Sequence, residues 1–363
     1  METKLKIAVM GGGNSAQTMA AELALKGFKV NLCDLPEFAG NIETVMKSRQ
    51  IEKYGSVETT GPTGLAKLEK VTTDVGEAVK KIDIILIAIP AYGHMAFFEA
   101  LADKIEDGQI VVILPGNWGA LRFFNLLKKK KIKKKVTLAE THRCMHSCRA
   151  AESWLGPGKV RVVRETVGIV QIAAIPARDT EKILDTVRVL FPQLVPATNI
   201  LETSLNNSNI IVHGPIVLMN AGWIEHTEGK FLIYRDGLTA SIGSVINAIA
   251  NERDTINTAL GFTPIPWAAY YKLNKNAQWT NDPGQLAPPT LQHRYLAEDI
   301  PYGLVPLAYL GDLLKVPTPV SDAMIELSSI SNQANYRKTG LTLEALGLDG
   351  LQSEEILKMV NQG

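Results

Sequence analysis

The stretch that decides the fold is KIAVMGGGNSAQTMAAELALKG, residues 6–27. KIAVM is typical of a buried β-strand, and the residues after the glycines are typical of a helix that ends at Gly27. Gly11, Gly13 and Ala16 place the pattern G-x-G-x-x-A at this strand-to-helix turn. Gly11 permits the tight turn, Gly13 lets the backbone approach a pyrophosphate, and Ala16 allows close helix–strand packing. The stretch therefore predicts a Rossmann turn that binds a dinucleotide.

The residues around the turn indicate which dinucleotide it binds. Free N–H groups at the start of the helix, at Asn14 and Ser15, suit the phosphates. Asp34 ends the next predicted strand, 18 residues after Ala16. A carboxylate there binds the ribose 2′-OH and repels a 2′-phosphate, and the following segment PEFAGN carries no arginine. We expect NAD as the cofactor, with NADP as the alternative.

Strands and helices alternate through the first half of the chain. Apolar runs predict strands at 6–10, 29–34, 83–90, 109–116, 136–141 and 160–176. Helical patterns lie between them at 15–27, 76–82, 92–104 and 120–132, and the segments 56–61 and 66–74 suggest a hairpin or short strands. This alternation predicts an α/β fold with a doubly wound, mostly parallel Rossmann sheet.

The pattern changes near residue 198. Helical periodicity then dominates, at 202–225, 236–261, 264–273, 304–315 and 318–334. We place the boundary in FPQLVPATN and expect a dinucleotide-binding Rossmann domain over 1–195. An all-α catalytic domain is expected over 196–363.

Composition excludes several classes of protein. The 363 residues carry 38 Lys+Arg against 37 Asp+Glu, a net charge of +1, so no overall field favours nucleic acid or a membrane surface. The apolar runs fall short of the ~20 residues that cross a bilayer, and the N-terminus lacks the pattern of a signal peptide. Three cysteines fit a reducing compartment. We expect a soluble, cytoplasmic protein that binds neither nucleic acid nor membranes.

Polar side chains follow the predicted strands. Pro90 ends one strand where the nicotinamide would pass, and Asn117, Glu140 and Thr141 follow two others. Ligands of such sheets bind outside the carboxyl ends of the strands. Each residue alone could be an ordinary loop residue, but together they predict a pocket.

The segment HRCMHSC, residues 142–148, alternates histidine and cysteine. Two sulfurs and two imidazoles form a possible zinc set, but a spacing of one residue is too tight for the usual tetrahedral loops. We predict no metal.

The segment NNSNIIVHGPIVLMNAG, residues 206–222, reads as an apolar helix with a polar stripe. Asn206, Asn209, His213 and Asn220 fall within an arc of roughly 60° on a helical wheel. A kink at Pro215 would disturb the phase of Asn220. The stripe faces either polar groups of a neighbouring helix or a substrate. A histidine is the natural proton donor and acceptor at neutral pH.

A second polar segment is HRYLAEDIPYG, residues 293–303. Arg294 offers a bidentate clamp for a carboxylate, and Glu298 or Asp299 could hold a histidine in one tautomer. A surface loop with local ion pairs is the alternative. Spacing alone does not bring His213 and Asp299 together.

Taken together, these segments resemble the opine dehydrogenase family, the octopine and nopaline dehydrogenase group. The resemblance rests on GGGNSAQTMAAELALKG, AETHRC, the segment 206–222 and RYLAEDIPYGLVPLA. It implies that His213 and Asp299 form a proton-transfer pair. It also implies a substrate pocket formed by Asn117, Glu140, Thr141, Asn209 and Arg294.

The reaction that the resemblance implies is a reductive condensation. An L-amino acid and a 2-oxo acid such as pyruvate form an imine, which NAD(P)H reduces to a secondary amine dicarboxylate. The amino acid is left open, because Glu140 suits a cationic group while Trp267, Tyr270 and Trp279 suit an apolar side chain. The helical domain is compatible with a homodimer.

Two other classes remain as alternatives. Dehydrogenases of 2-hydroxy acids, glycerol 3-phosphate or the ketopantoate type share this architecture and commonly use a lysine of the helical domain. Here Lys230, Lys272 and Lys275 lie outside the polar stripe. A non-catalytic NAD(H) sensor would need no proton-transfer pair.

Overall fold

The computed structural model describes residues 5–55, 61–150, 156–165, 168–267 and 285–363. The strands are β1 (Lys6–Met10), β2 (Lys29–Cys33), β3 (Gln50–Tyr54), β4 (Gly64–Lys67), β5 (Lys70–Thr72), β6 (Ile84–Ile87), β7 (Ile110–Ile113), β8 (Thr137–Thr141), β9 (His146–Ala150), β10 (Lys159–Glu165), β11 (Val170–Ile175) and β12 (Leu194–Pro196).

Most helices of the first half connect these strands, and those of the second half pack on one another. They are α1 (Asn14–Leu25), α2 (Glu43–Ser48), α3 (Val75–Val79), α4 (His94–Ala102), α5 (Gly119–Lys129), α6 (Thr180–Arg188), α7 (Ile200–Leu205), α8 (Asn209–Leu218), α9 (Ala221–Thr227), α10 (Ala240–Ala259), α11 (Arg294–Ala297), α12 (Val305–Leu314), α13 (Pro319–Ser331), α14 (Tyr336–Thr339) and α15 (Ser353–Gln362). Short 3-10 turns lie at Pro36–Asn41, Ala91–Gly93 and Ala177–Asp179, and a π-helical turn lies at Ile300–Leu304.

The larger sheet has eight strands in the order β12-β11-β8-β7-β6-β1-β2-β5. From β5 to β8 all neighbours run parallel, in the Rossmann order 3-2-1-4-5-6. β6 is buried throughout, which explains its continuous apolar sequence, because helices cover both faces of such a sheet. The prediction of an N-terminal Rossmann sheet followed by a helical region is confirmed. The sequence did not predict that β11 runs antiparallel to β8.

A second sheet, in the order β4-β3-β10-β9, was not predicted. It packs on α1, whose other side contacts β1 and β2. All residues from 16 to 23 are consequently buried, and a helix buried on every side needs small and apolar residues all round. The sequence AQTMAAEL meets that need at all but a few polar positions.

Glu22 is the acidic exception on α1. Its carboxylate accepts hydrogen bonds from Lys53 and Lys26, each at 2.7 Å, and lies 2.8 Å from Nε2 of His146. Burial acts to raise the pKa of Glu22, but His146, Lys26 and Lys53 outweigh it and hold the pKa well below its usual range. These contacts tie α1 to the second sheet through β3 and β9.

The chain forms two compact units, Met1–Thr203 with Val360–Gly363, and Ser204–Met359. The second unit is mainly helical, and α8 packs against α10, α11 and α13. The domain boundary expected after residue 195 rests on composition and stays a prediction. No helix within the described ranges has the length and hydropathy that crossing a membrane requires.

The reading of 206–222 as one helix is wrong, because this segment contains α8 and the start of α9, and the wider helical stretch 202–225 also includes part of α7. Asn207 interrupts the helix between α7 and α8, because its side-chain oxygen accepts a hydrogen bond from the N–H of Asn209 at 3.0 Å. Such side-chain bonds compete with a continuous helix. Pro215 lies inside α8, which ends at Leu218.

Candidate active site

The strand-to-helix turn is shaped for a phosphate group. Gly11 has φ +113°, and a Cβ there would lie 2.6 Å from Cγ2 of Ile89 and 2.8 Å from the carbonyl oxygen of Ala88. At Gly13, by contrast, the described residues outside the local backbone place no atom within 4 Å of the position of a Cβ. The turn is therefore tightly packed on its inner side and open on its outer side, as a pyrophosphate requires.

The start of α1 completes this cradle. Its N-cap residue is Gly13, and within the described residues no side-chain hydrogen bond caps the helix, so the N–H groups of its first turn can bind an anion. Asn14 accepts a hydrogen bond from the N–H of Ala150 at 2.9 Å, and the Ser15 hydroxyl lies 3.8 Å from Sγ of Cys144. Ala16 is fully buried. The residues present fit a dinucleotide.

Asp34 lies beside the turn, at the end of β2. Its Oδ1 accepts from the N–H of Leu35 at 2.9 Å and its Oδ2 from the side chain of Asn41 at 3.0 Å. A side chain at Gly12 would collide with Oδ2. Burial raises the pKa of Asp34 above its usual value, against the opposing effect of these hydrogen bonds.

The polar residues at the strand ends are held inside the first unit. Pro90 precedes the turn Ala91–Gly93, and Asn117 is buried with φ +46°. Thr141 is fully buried, and its hydroxyl donates to the carbonyl of Arg143 at 2.9 Å.

Glu140 is also fully buried, and both of its carboxylate oxygens are engaged. One accepts from the N–H of Ala120 in the first turn of α5 at 2.9 Å, and the other from the hydroxyl of Thr203 at 3.0 Å. A Cβ at Gly116 would overlap the Glu140 side chain. Glu140 therefore supports α5 and α7. Nothing in the sequence marked Thr203 as its partner.

The side chains of the segment 142–148 have separate partners. His142 accepts from the N–H of Gln171 at 2.9 Å, His146 contacts Glu22, and Cys144 lies 3.6 Å from the carbonyl of Leu114. Burial raises the pKa of Cys148. In the part of the chain that the structure describes, no three such side chains are grouped to hold a metal ion.

In the second unit, His213 and Asp299 lie together. Nδ1 of His213, on α8, is 2.6 Å from Oδ2 of Asp299, which directly precedes the π-helical turn. The two residues are 5% and 1% exposed. A carboxylate at Nδ1 favours the tautomer that carries its proton on Nδ1, which leaves the lone pair of the ring on Nε2. Glu298, the other candidate carboxylate, lies 3.4 Å from Arg294 instead.

Two tyrosines that the sequence analysis missed also contact His213. The Tyr234 hydroxyl lies 2.9 Å from Nε2, and the Tyr295 ring stacks on the imidazole with 3.8 Å between centroids. Tyr295 belongs to the segment RYLAED, which could have drawn attention to it. Tyr234 lies in a segment without any recognisable motif.

The asparagines of the stripe have different roles. Asn209 lies one turn before His213 on α8, half-buried, and its side-chain amide bonds no other group of the described chain. Asn206, before α8, accepts from the N–H of Ile265 at 3.5 Å. Asn220 donates to the carbonyls of Ile216 and Gly237. Asn209 alone therefore accompanies His213 on α8, and the expected stripe of three asparagines is wrong.

Arg294 and Lys230 are exposed residues of the second unit. Arg294 is 41% exposed and makes its ion pair to Glu298 at the start of α11. Lys230 is exposed and pairs with Glu228 at 2.7 Å. Tyr270, Lys272, Lys275 and Trp279 lie outside the described residues.

A Rossmann unit with an open phosphate turn and a helical unit with a buried His–Asp pair define an NAD(P)-dependent oxidoreductase. Residues 196–332 match the family of the NAD/NADP octopine/nopaline dehydrogenase alpha-helical domain. Residues 6–114 match the family described as NADP oxidoreductase, coenzyme F420-dependent. The opine dehydrogenase of Arthrobacter sp. (strain 1C) is 33% identical over 97% of this chain and 98% of its own length. The chain belongs to the opine dehydrogenase family, and so the resemblance seen in the sequence is confirmed.

Solved structures share the fold. Octopine dehydrogenase with NADH and L-arginine superposes with a TM-score of 0.75 at 19% identity, covering 99% of both chains. Yersinopine dehydrogenase with NADP+ gives 0.70 at 14% identity, over 100% of this chain and 99% of that one. As a member of the family shown by the 33% identical relative, the protein is an NAD(P)-dependent enzyme that acts on the CH–NH group of its donors.

Proposed function

We propose that the protein condenses an L-amino acid with a 2-oxo acid, pyruvate first among them, and reduces the imine to an opine. The reverse reaction follows from the same site. The buried pair of His213 and Asp299, 2.6 Å apart, carries this proposal in a chain of this family. The relative solved with NADH and L-arginine agrees with an amino acid as one substrate.

Proton transfer is the task of the pair. The reaction joins an amine and a carbonyl, releases water and takes up one proton from the medium. Asp299 orients the imidazole and stabilises its charged form, and His213 exchanges the proton at Nε2. The nicotinamide supplies the hydride when it is bound.

The substrate carboxylates are assigned to side chains of hydrogen-bond donor type. Arg294 carries a guanidinium that is 41% exposed, and the planar fork of this group suits a bidentate bond to a carboxylate. Asn209 presents an amide one turn from His213. Asn117 and Thr141 are proposed for a carboxylate or carbonyl. Glu140 contributes by holding the start of α5, because both of its oxygens are engaged.

The cofactor is assigned to the first unit. Gly11, Gly13, Asn14, Ser15 and Ala16 hold the phosphates and Pro90 borders the nicotinamide. Asp34 favours NAD over NADP by binding the ribose hydroxyl. A cytoplasmic location and a homodimer are also part of this proposal, on the sequence arguments alone.

The test follows NADH absorbance with pyruvate and each L-amino acid in turn, and with each substrate alone. We expect oxidation that requires both partners, and the active pair names the amine. Oxidation with the 2-oxo acid alone would make the protein a 2-hydroxy acid dehydrogenase and overturn the proposal.

A variant ties the activity to the pair. His213→Asn should lower kcat roughly 10²–10⁴-fold, the usual worth of a positioned acid–base group, with little change in melting temperature. His226→Asn is the matched control, since His226 is an exposed histidine of the same unit and should leave kcat unchanged. An active His213→Asn enzyme would remove His213 from the mechanism.

A further inference from the structure

The surroundings of His213 restrict how it can exchange a proton. Asp299 contacts Nδ1 at 2.6 Å, Tyr295 stacks on the ring, and the side chain is only 7% exposed. The proton that His213 exchanges with a substrate therefore passes through Nε2. The group in contact with Nε2 is the hydroxyl of Tyr234, at 2.9 Å.

Tyr234 is held in this position by a closely bonded turn. The N–H of Asp236 donates to the carbonyl of Leu232 at 2.7 Å, and the Asp236 carboxylate accepts from the N–H of Leu232 at 3.0 Å. Asn220 donates to the carbonyl of Gly237 at 2.9 Å. At Gly237 a Cβ would lie 2.6 Å from the carbonyl oxygen of Ile233, so the turn leaves no room for a side chain there.

These anchors explain the polar residue on the far end of the predicted stripe. Asn220 lies 7 residues after His213 in the sequence and is buried between α8 and α9. Its side chain also donates to the carbonyl of Ile216 on α8 at 2.7 Å. It thereby links the helix that carries His213 to the turn that carries Tyr234.

We propose that Tyr234 is a catalytic residue that relays the proton between Nε2 of His213 and the reacting substrate atom. This rests on the proposed function. Tyr234 is half-buried, so its hydroxyl can contact His213 while part of the side chain stays accessible to a ligand. A phenol hydroxyl is both a donor and an acceptor and can pass a proton on without a net change in itself.

In the condensation, Tyr234 protonates the hydroxyl group that leaves the intermediate. The amine and the 2-oxo acid first form a carbinolamine, whose C–O bond must break. The Tyr234 proton goes to the leaving hydroxyl, which departs as water, while the nitrogen lone pair forms the C=N bond. The N–H proton at Nε2 of charged His213 returns to the phenol oxygen, so the tyrosine is restored and His213 becomes neutral.

The test is Tyr234→Phe, which removes one hydroxyl and keeps the ring. We expect kcat with the active substrate pair to fall at least about tenfold, toward the 10²-fold of acid–base groups. KM for both substrates and the Kd for NADH should stay within about twofold. Tyr309→Phe is the matched control, because Tyr309 donates to the carbonyl of Arg337 at 3.2 Å, away from His213, and should keep the kcat of the parent.

A second measurement does not depend on turnover. Nitrogen NMR of the His213 ring should show a changed Nε2 signal in Tyr234→Phe and an unchanged one in Tyr309→Phe. An identical Nε2 signal in all three proteins would overturn the proposal.

The kinetic outcomes separate the relay from its rivals. Parental kcat in Tyr234→Phe would overturn the relay, and so would a raised kcat with a lowered KM, which would mean that Tyr234 merely occupies the place of the substrate. If the parent enzyme oxidised NADH with none of the substrate pairs, the proposed function itself would fail, and the relay with it.

Discussion

The carboxylate of Asp34 lies beside the glycine turn and accepts hydrogen bonds at both of its oxygens, from Leu35 and Asn41. Its position is local to the motif, and this is why the sequence could predict it. The sequence also predicted His213 and Asn209 as polar groups of a helix, and Asp299 as a polar group of the segment 293–303. It could not predict Tyr234, because the contact to Nε2 depends on a turn that Asn220 and Asp236 hold together.

Cofactor choice tests Asp34 directly. Asp34→Ser should remove the proposed charge-assisted hydrogen bond to the ribose and the proposed repulsion of a 2′-phosphate. Such a bond contributes about 1.5–3 kcal/mol, so kcat/KM with NADH should fall roughly tenfold or more while kcat/KM with NADPH rises. Steady-state kinetics with the two cofactors measures both changes.

Glu181→Gln is the control for this experiment. Glu181 is an exposed acid of α6 in the same unit, and its loss should leave the NADH/NADPH ratio unchanged. A ratio that is the same in Asp34→Ser as in the parent would disprove the role of Asp34.

At the scale of elements, the sequence predicted the order of strands and helices better than their junctions. The sequence predicted β6 from a continuous apolar run and α5 from an unbroken helical pattern. The segment 202–225 instead divides into α7, α8 and α9, because Asn207 and Asn220 bond to backbone groups. The sequence did not predict the second sheet, because its short strands come from segments far apart in sequence and pair only in the tertiary structure.

The attachment of α1 to that sheet can be tested through Lys53. Its side chain is fully buried and its ammonium group bonds Glu22 at 2.7 Å. Lys53→Met removes one of the three partners of the buried Glu22 carboxylate, so the free energy of unfolding should fall by part of the roughly 3–5 kcal/mol that a fully broken buried pair costs. Urea denaturation should show this loss.

Lys26→Met is the matched control, since Lys26 bonds the same carboxylate but is 28% exposed. Exposed pairs contribute about 0–1 kcal/mol, so the loss should be much smaller. Equal losses in the two variants would contradict the role assigned to burial. Because the pKa of Glu22 is held below its ordinary value of 4.5, the stability that Glu22 contributes is present above that pH and is lost as the pH falls further below it.

For the whole protein, His94 should make the free energy of unfolding depend on pH at higher pH values than Glu22 does. Burial, with the nearby charge of Arg122, lowers the pKa of His94 from 6.5 to about 3. The unfolded chain then binds a proton that the folded chain does not, from pH 6.5 downward. The free energy of unfolding should therefore decrease as the pH falls from about 6.5 toward 3, by up to ~1.4 kcal/mol per pH unit from this group.

Between pH 6 and 5, the change in the free energy of unfolding reports His94 and not Glu22, because the effect of Glu22 begins at lower pH. His94→Gln should flatten the slope in that window, whereas the exposed His226→Gln should keep it. Urea denaturation at a series of pH values measures the slopes. A slope in His94→Gln as steep as in the parent would show that other groups cause it.

The burial of α1 between two sheets limits how the cofactor-binding part could be reused by gene fusion. Residues 6–114, the span that matches an oxidoreductase family, include β3 and β4 but not β9 and β10. A fragment cut at that point would expose the side of α1 that packs on β9, and Glu22 would lose His146. A fragment of residues 6–114 is therefore not a self-sufficient nucleotide-binding unit, and a functional chimera must include the chain at least through residue 165.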